Sequence, residues 1–206
     1  HWCGLKNICI AQKLNVLISI CDGLLYLHEN KVIHRDLKPV NILVDKSGRP
    51  VIADFGEAKI LASVNKNSVL LGTAAYMAPE IFDGGHYDFM ADVYSLGIII
   101  WRVFTGLVPY QGVKNKANVH YDVAKNPKFR PKYNEKYKAE CLEKWKDQGV
   151  TKAMWERIVD ELCPDCWSAD PDDRPGLGHI QETLTRICHQ LTSVTKKDEV
   201  EKSAVK

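Results

Sequence analysis

His34-Arg35-Asp36-Leu37-Lys38-Pro39-Val40-Asn41 is the stretch that decides how this chain is read. Eight residues bring together an imidazole, a carboxylate, an ammonium group and a neutral amide. A carboxylate beside a cation suits proton handling and charge neutralisation. An Asn amide adds an oxygen donor of the kind Mg²⁺ accepts. Thirteen residues after Asn41 comes Asp54-Phe55-Gly56, and later Ala78-Pro79-Glu80. One loop motif could arise by chance; three in fixed order and spacing do not.

Upstream of the loop, Leu14, Leu17, Ile18, Cys21, Leu24, Leu25 and His28 recur at helical spacing. They predict a helix from about Ala11 to Glu29, stopped by Asn30-Lys31. Downstream, Ile42-Leu43-Val44, a Lys46-Ser47-Gly48 turn and Pro50-Val51-Ile52-Ala53 predict a short β-hairpin, which sets Asn41 and Asp54 at adjacent strand ends. Residues 57–72 read as a polar loop. A helix from about Asp92 to Phe104 is apolar almost all round (Val93, Leu96, Ile98, Ile99, Ile100, Trp101, Val103), so it belongs inside the core. Further helices are expected at about 114–124, 135–147, 152–167 and 177–191. The polar residues 192–206 are expected to be a disordered tail after one domain over residues 1–191.

The three motifs resemble those of the eukaryotic protein kinase superfamily: the catalytic loop H-R-D-L-x-x-x-N, then D-F-G, then A-P-E. The likeness covers about residues 10–190 and implies a mainly α fold, the helical C-terminal lobe, with the hairpin beside the catalytic loop and the N-terminal β-lobe absent. It implies a transferase of signal transduction that moves the γ-phosphoryl group of ATP to a protein hydroxyl, with ATP and Mg²⁺ as cofactors. Residue by residue, it implies Asp36 as catalytic base, Lys38 as the γ-phosphate contact, Asn41 and Asp54 as Mg²⁺ ligands, and Leu43 beneath the adenine. It further implies that Phe55 packs on His34, that Gly56 supplies backbone freedom, and that Asp92 accepts hydrogen bonds from the loop backbone. Glu80 is expected to pair with Arg174 of Asp173-Arg174-Pro175. Taken singly, Asp92 reads as a helix N-cap and Arg174 as a surface charge.

Lys38-Pro39 and Gly72-Thr73-Ala74-Ala75-Tyr76 are similar to the serine/threonine type, with Thr73 bridging to Asp36 and Lys38. Cys166-Trp167, Asp170-Pro171 and Arg174-Pro175 resemble the tyrosine-kinase-like group. Arg35 beside the base is that family's mark of control by activation-loop phosphorylation, so an upstream kinase is an expected partner. Ser63 and Ser68 are the candidate sites, Ser68 being nearer Thr73. Against the family pattern, Tyr133 to Val150 looks like an insertion.

Bulk properties narrow the class. At 206 residues, 45% hydrophobic and 26% charged, the chain is ordinary for a globular domain. A net charge of +2 gives no argument for nucleic acid. Leu96 to Trp101 is too short an apolar run to span a bilayer. The start His1-Trp2-Cys3-Gly4 has no signal-peptide pattern. Seven cysteines, an odd number, predict free thiols in a reducing, cytoplasmic setting. Cys163-Pro164-Asp165-Cys166 invites a zinc reading, but a structural site needs about four ligands and no second pair exists, so core thiols are expected. Between Lys125 and Lys152 stand nine Lys/Arg and four Asp/Glu. That excess reads as a solvated face or as a dock for an acidic partner.

The expected kinase also needs a glycine-rich loop and a strand lysine over the phosphates. The 33 residues before His34 contain neither, and the first is not methionine. The expectation is therefore a partial catalytic domain that binds ATP weakly and transfers phosphate negligibly by itself. The alternative is a non-catalytic, kinase-like interaction or regulatory module, which has no need to keep Asp36, Asn41 and Asp54 together.

Overall fold

The computed structural model describes residues 8–46, 49–60, 74–82, 87–115 and 118–204. Helix α1 (Ile10–Glu29) buries Leu14, Leu17, Ile20, Cys21 and Leu24 on one stripe. Helix α8 (Leu177–Ala204) lies against it and buries Ile180, Leu184, Ile187 and Leu191. A bond from Gln181 Nε2 to Asp22 Oδ1 (2.5 Å) joins the two at their surface. By length and composition α1 is apolar enough to cross a membrane, but its apolar stripe is spent on the core.

Two small antiparallel ribbons flank α1's exit. Strand β1 (Val32–Ile33) pairs with β4 (Lys59–Ile60). Strands β2 (Ile42–Val44) and β3 (Pro50–Ile52) form the hairpin, with Leu43 opposite Val51. After the short helix α2 (Pro79–Phe82), helix α3 (Met90–Thr105) runs through the centre of the molecule. It starts two residues before the expected Asp92, because Ala91 and Asp92 already bond back to Asp88 and Phe89. It stops at Gly106, whose φ of +73° is the left-handed C-cap that glycine adopts freely. Gly97 lets the next layer approach: a Cβ there would sit 2.5 Å from Cys166 Cβ.

Helix α4 (Val119–Lys125) is shorter than the expected 114–124, since the polar run before Val119 has no apolar face to bury. Helix α5 (Glu135–Trp145) continues into a 3-10 turn at Lys146–Gln148. The expected helix 152–167 is composite: α6 (Lys152–Trp155), a π-helical stretch Glu156–Leu162, and α7 (Cys163–Cys166). Pro164 explains the widening. A proline has no N–H and its ring crowds the carbonyl four residues back, so the helix before it opens. Cys163 and Cys166 are free thiols wholly inside the core, and burial pushes both well above the usual thiol range. Helix α8 runs on to Ala204, through residues expected as a polar tail. Its Lys and Glu residues are good helix formers, and extending an existing helix avoids the cost of nucleation.

The segment read as an insertion has a clear structural task. Tyr137 Oη donates to Thr105 O (2.8 Å), Cys141 Sγ to Thr105 O (3.8 Å), and Trp145 Nε1 to Phe104 O (3.3 Å). These residues are four apart, hence on one face of α5, and they satisfy carbonyls that the end of α3 leaves open. Gln148 Oε1 accepts from Ile10 N (2.7 Å), closing the start of α1.

Candidate active site

The loop 34–41 is pinned from below by one carboxylate. Asp92, fully buried at the start of α3, accepts His34 N on Oδ2 and Arg35 N on Oδ1, each at 2.9 Å. His28 Nε2 adds a third bond to Oδ2 at 2.9 Å. Arg35 has a φ of +68°, a left-handed conformation costing about 1–3 kcal/mol for a non-glycine residue. The bonds to Asp92 offset that cost and hold the turn that leads into Asp36.

Asp36 is only 5% exposed. Its Oδ2 accepts Lys38 Nζ at 2.6 Å and Asn41 Nδ2 at 3.1 Å, while Asn41 Nδ2 also reaches Asp36 O at 2.9 Å. Its Oδ1 is buried and has no hydrogen-bond partner among the described residues. A desolvated carboxylate oxygen without a donor is costly unless something else supplies the proton. Asn41 commits its N–H groups to Asp36, and its Oδ1 has no partner among the described residues.

The hairpin brings the second carboxylate alongside. Ala53 N donates to Asn41 O (2.8 Å), so Asn41 and Asp54 sit at neighbouring strand ends. Asp54 has a φ of +64°, and its Oδ1 accepts Gly56 N at 3.4 Å. The left-handed residue here is Asp54, and Gly56 has no positive φ. What Gly56 supplies is room, since a Cβ would lie 3.2 Å from Asp54 Oδ1. The ring of Phe55 meets His34 edge-on at 5.3 Å, and His34 Nε2 donates to Ala53 O (3.1 Å). Above the loop, Leu43, Val51 and Phe55 are each about half exposed, at 56, 47 and 48%. They form an apolar shelf beside the carboxylates.

Below and to the side, Arg174 grips Glu80 with two bonds of 2.6 and 2.9 Å. It also donates to Met90 O (2.8 Å) and Ser168 O (3.0 Å), tying α2, α3 and the 168–174 turn together. Arg35 is buried with its guanidinium 5.1 Å over the ring of Tyr87. Ser63, Ser68 and Thr73 lie outside the described residues. Sequence reasoning missed His28 and Tyr87. The signal for His28 was a polar side chain on the inner stripe of α1; for Tyr87 there was none.

The structure therefore gathers Asp36, Lys38, Asn41, Asp54, His34, Phe55 and Asp92 around one loop and leaves oxygens of Asp36 and Asn41 uncommitted. Asp54 has one long bond. These are hard oxygen donors suited to Mg²⁺, so the residues fit the metal that the motifs imply.

Comparison with known proteins agrees. Residues 7–185 match the family described as protein kinase domain. The serine/threonine-protein kinase STY46 of Arabidopsis thaliana is 36% identical over 149 residues, which is 71% of this chain and 26% of that protein. A protein kinase and PP2C-like domain-containing protein of the same plant is 32% identical over 220 residues, 95% of this chain and 32% of that protein. A dual serine/threonine and tyrosine protein kinase of Pimephales promelas is 32% identical over 193 residues, 91% of this chain and 19% of that protein. The chain spans about a quarter to a third of the length of the first of these relatives. The chain belongs to the protein kinase superfamily, and its mainly helical fold with two small ribbons is that of a C-terminal kinase lobe.

Proposed function

We propose that this chain carries the acceptor-side half of a serine/threonine kinase site, acting on proteins in the cytoplasm. The observation that carries the reading is the asymmetric hydrogen bonding of Asp36: Oδ2 is held by Lys38 and Asn41, and Oδ1 is buried with no partner among the described residues. An acceptor hydroxyl placed at Oδ1 gains the missing hydrogen bond, is oriented for in-line attack, and can pass its proton there. Lys38 stays beside the base as a point charge for the transferring phosphoryl group. When bound, Mg²⁺ and ATP supply the electrophile and neutralise its charge; Asn41 and Asp54 are the residues to hold the metal, and Leu43 the surface for the adenine. Glu80 and Arg174 fix the platform below. Lys38-Pro39 and the plant relative favour hydroxyls of Ser and Thr over Tyr.

On its own the 206-residue polypeptide is expected to bind Mg·ATP weakly, because its residues include no glycine-rich loop and the apolar shelf stands open to solvent. The test is phosphate transfer from labelled ATP to protein Ser/Thr by the gene product, including any coding sequence upstream of His1. Asp36→Asn is expected to lower the rate by about 10²–10⁴-fold while folding is kept. Undiminished transfer by that variant, or transfer confined to Tyr, contradicts the reading.

A further inference from the structure

Of the nine lysines and arginines between Lys125 and Lys152, six have partners. Arg130 donates to the carbonyls of Trp167, Val123 and Phe129. Lys138 reaches Asp160 (2.7 Å) and Glu156 (3.6 Å). Lys146 and Lys152 lie 3.6 Å from Glu143 and Glu156, and Lys144 lies 4.7 Å over the ring of Trp145. Lys125 is engaged as well. Lys128, Lys132 and Lys136 differ: all three are exposed, and none has a side-chain partner among the described residues. From Val123 to Asn134 the sequence contains no Asp or Glu.

The backbone carrying them is fixed by the residues in between. Phe129 stacks on Tyr110 with ring centroids 5.2 Å apart, Arg130 is buried, and Tyr133 bonds to Asp160 and meets Trp155 edge-on at 5.7 Å. Asn126 accepts Lys128 N (3.0 Å) at one end, and Asn134 caps α5 at the other through Tyr137 N (2.8 Å). The inward residues are anchors, and the lysines are what remains outside. Lys128 lies in a turn, where Phe129 N donates to Asn126 O (2.8 Å) and Arg130 N to Lys128 O (3.1 Å); Lys132 follows in the run before α5, and Lys136 lies in the first turn of that helix.

We propose that Lys128, Lys132 and Lys136 form a docking rail for an acidic, Asp/Glu-rich peptide segment of a partner protein. The charge is local, because the chain as a whole carries only +2. Carboxylates match the rail better than nucleic acid does. The one arginine of the stretch, the side chain suited to bidentate phosphate binding, is turned inward, and the rings of Phe129 and Tyr133 are occupied inside rather than offered to bases. No exposed apolar side chain lies between the lysines to enter a membrane.

The test is fluorescence anisotropy of a labelled Asp/Glu decapeptide titrated with the 206-residue chain at about 50 mM salt, where surface charge is weakly screened. Changing Lys128, Lys132 and Lys136 together to Gln is expected to weaken binding roughly tenfold, whereas the same change at Lys46, Lys146 and Lys152 costs about twofold or less. Equal losses in the two triple variants overturn the proposal. So does equal binding of an Asn/Gln decapeptide, or tighter binding of a single-stranded oligonucleotide or of phosphatidylserine vesicles. Should the first variant fail to fold, reductive methylation of the unaltered chain decides: the acidic peptide must protect Lys128, Lys132 and Lys136 selectively, and uniform protection refutes the rail.

Discussion

Helix α3 ends in two kinds of hydrogen bonding. At its start, Asp92 uses three bonds to hold His28, His34 and Arg35, and the loop so held leaves Asp36 Oδ1 buried without a partner among the described residues. At its finish, Tyr137, Cys141 and Trp145 donate to the carbonyls of Phe104 and Thr105, polar groups the helix would otherwise leave open. One end is braced so that something else can stay unsatisfied; the other is braced to closure. The difference separates the proposed site from a structural joint within a single element. Arg130 Nη2 is also buried without a partner among the described residues, so it is the coincidence of the unpaired Asp36 oxygen with the loop motif that assigns the proposed ligand there.

The comparison breaks most easily at Asp92. Replacing it by Ala orphans two buried N–H groups and relaxes a left-handed Arg35, so a loss of about 3–5 kcal/mol in urea unfolding is expected. A loss below about 1 kcal/mol would mean that the loop holds itself. Arg174→Ala should cost nearly as much, about 3–4 kcal/mol, by stranding Glu80 in a mostly buried place. At the closed end, Trp145→Phe keeps most of the apolar contact and removes one donor, so about 1 kcal/mol is expected by the same measurement, with no change in the loop's backbone resonances.

The buried thiols give a pH test of how dry the frame is. Burial, with Asp22 nearby, pushes the Cys21 thiol from 9.0 up to about 12. The unfolded thiol releases its proton near 9 while the folded one keeps it. The folded state therefore binds more protons between pH 9 and 12, and stability falls as pH rises through that window. This thiol contributes a slope of up to about 1.4 kcal/mol per pH unit. Cys21→Ala should flatten the alkaline limb of the stability profile; an unchanged slope would show that water reaches the site.

Much of the loop end was legible in sequence, because its chemistry demands particular residue types at particular spacings. Asp36, Asn41 and Asp54 were readable by motif, and the hairpin by its alternation of apolar runs and a turn. Helices α1 and α3 were readable by period. The closed end was not legible. Tyr137, Cys141 and Trp145 reach partners 32 to 41 residues away, and nothing in a local pattern says which carbonyls they will meet. The π-helical stretch before Pro164 escaped because helical period alone does not register one added residue per turn. The closeness of Gly56 to the Asp54 oxygen was likewise not legible, since only the folded loop brings them together.

The central proposal, that Asn41 and Asp54 at the loop end hold a metal–nucleotide complex, is tested most directly by titrating the isotope-labelled chain with Mn·ATP and following paramagnetic broadening of its amide resonances. The account predicts broadening centred on Asn41, Leu43 and Asp54, saturating only at high ligand concentration and abolished by Asp54→Asn. Broadening that survives Asp54→Asn, or that spreads evenly over the surface carboxylates, would contradict it.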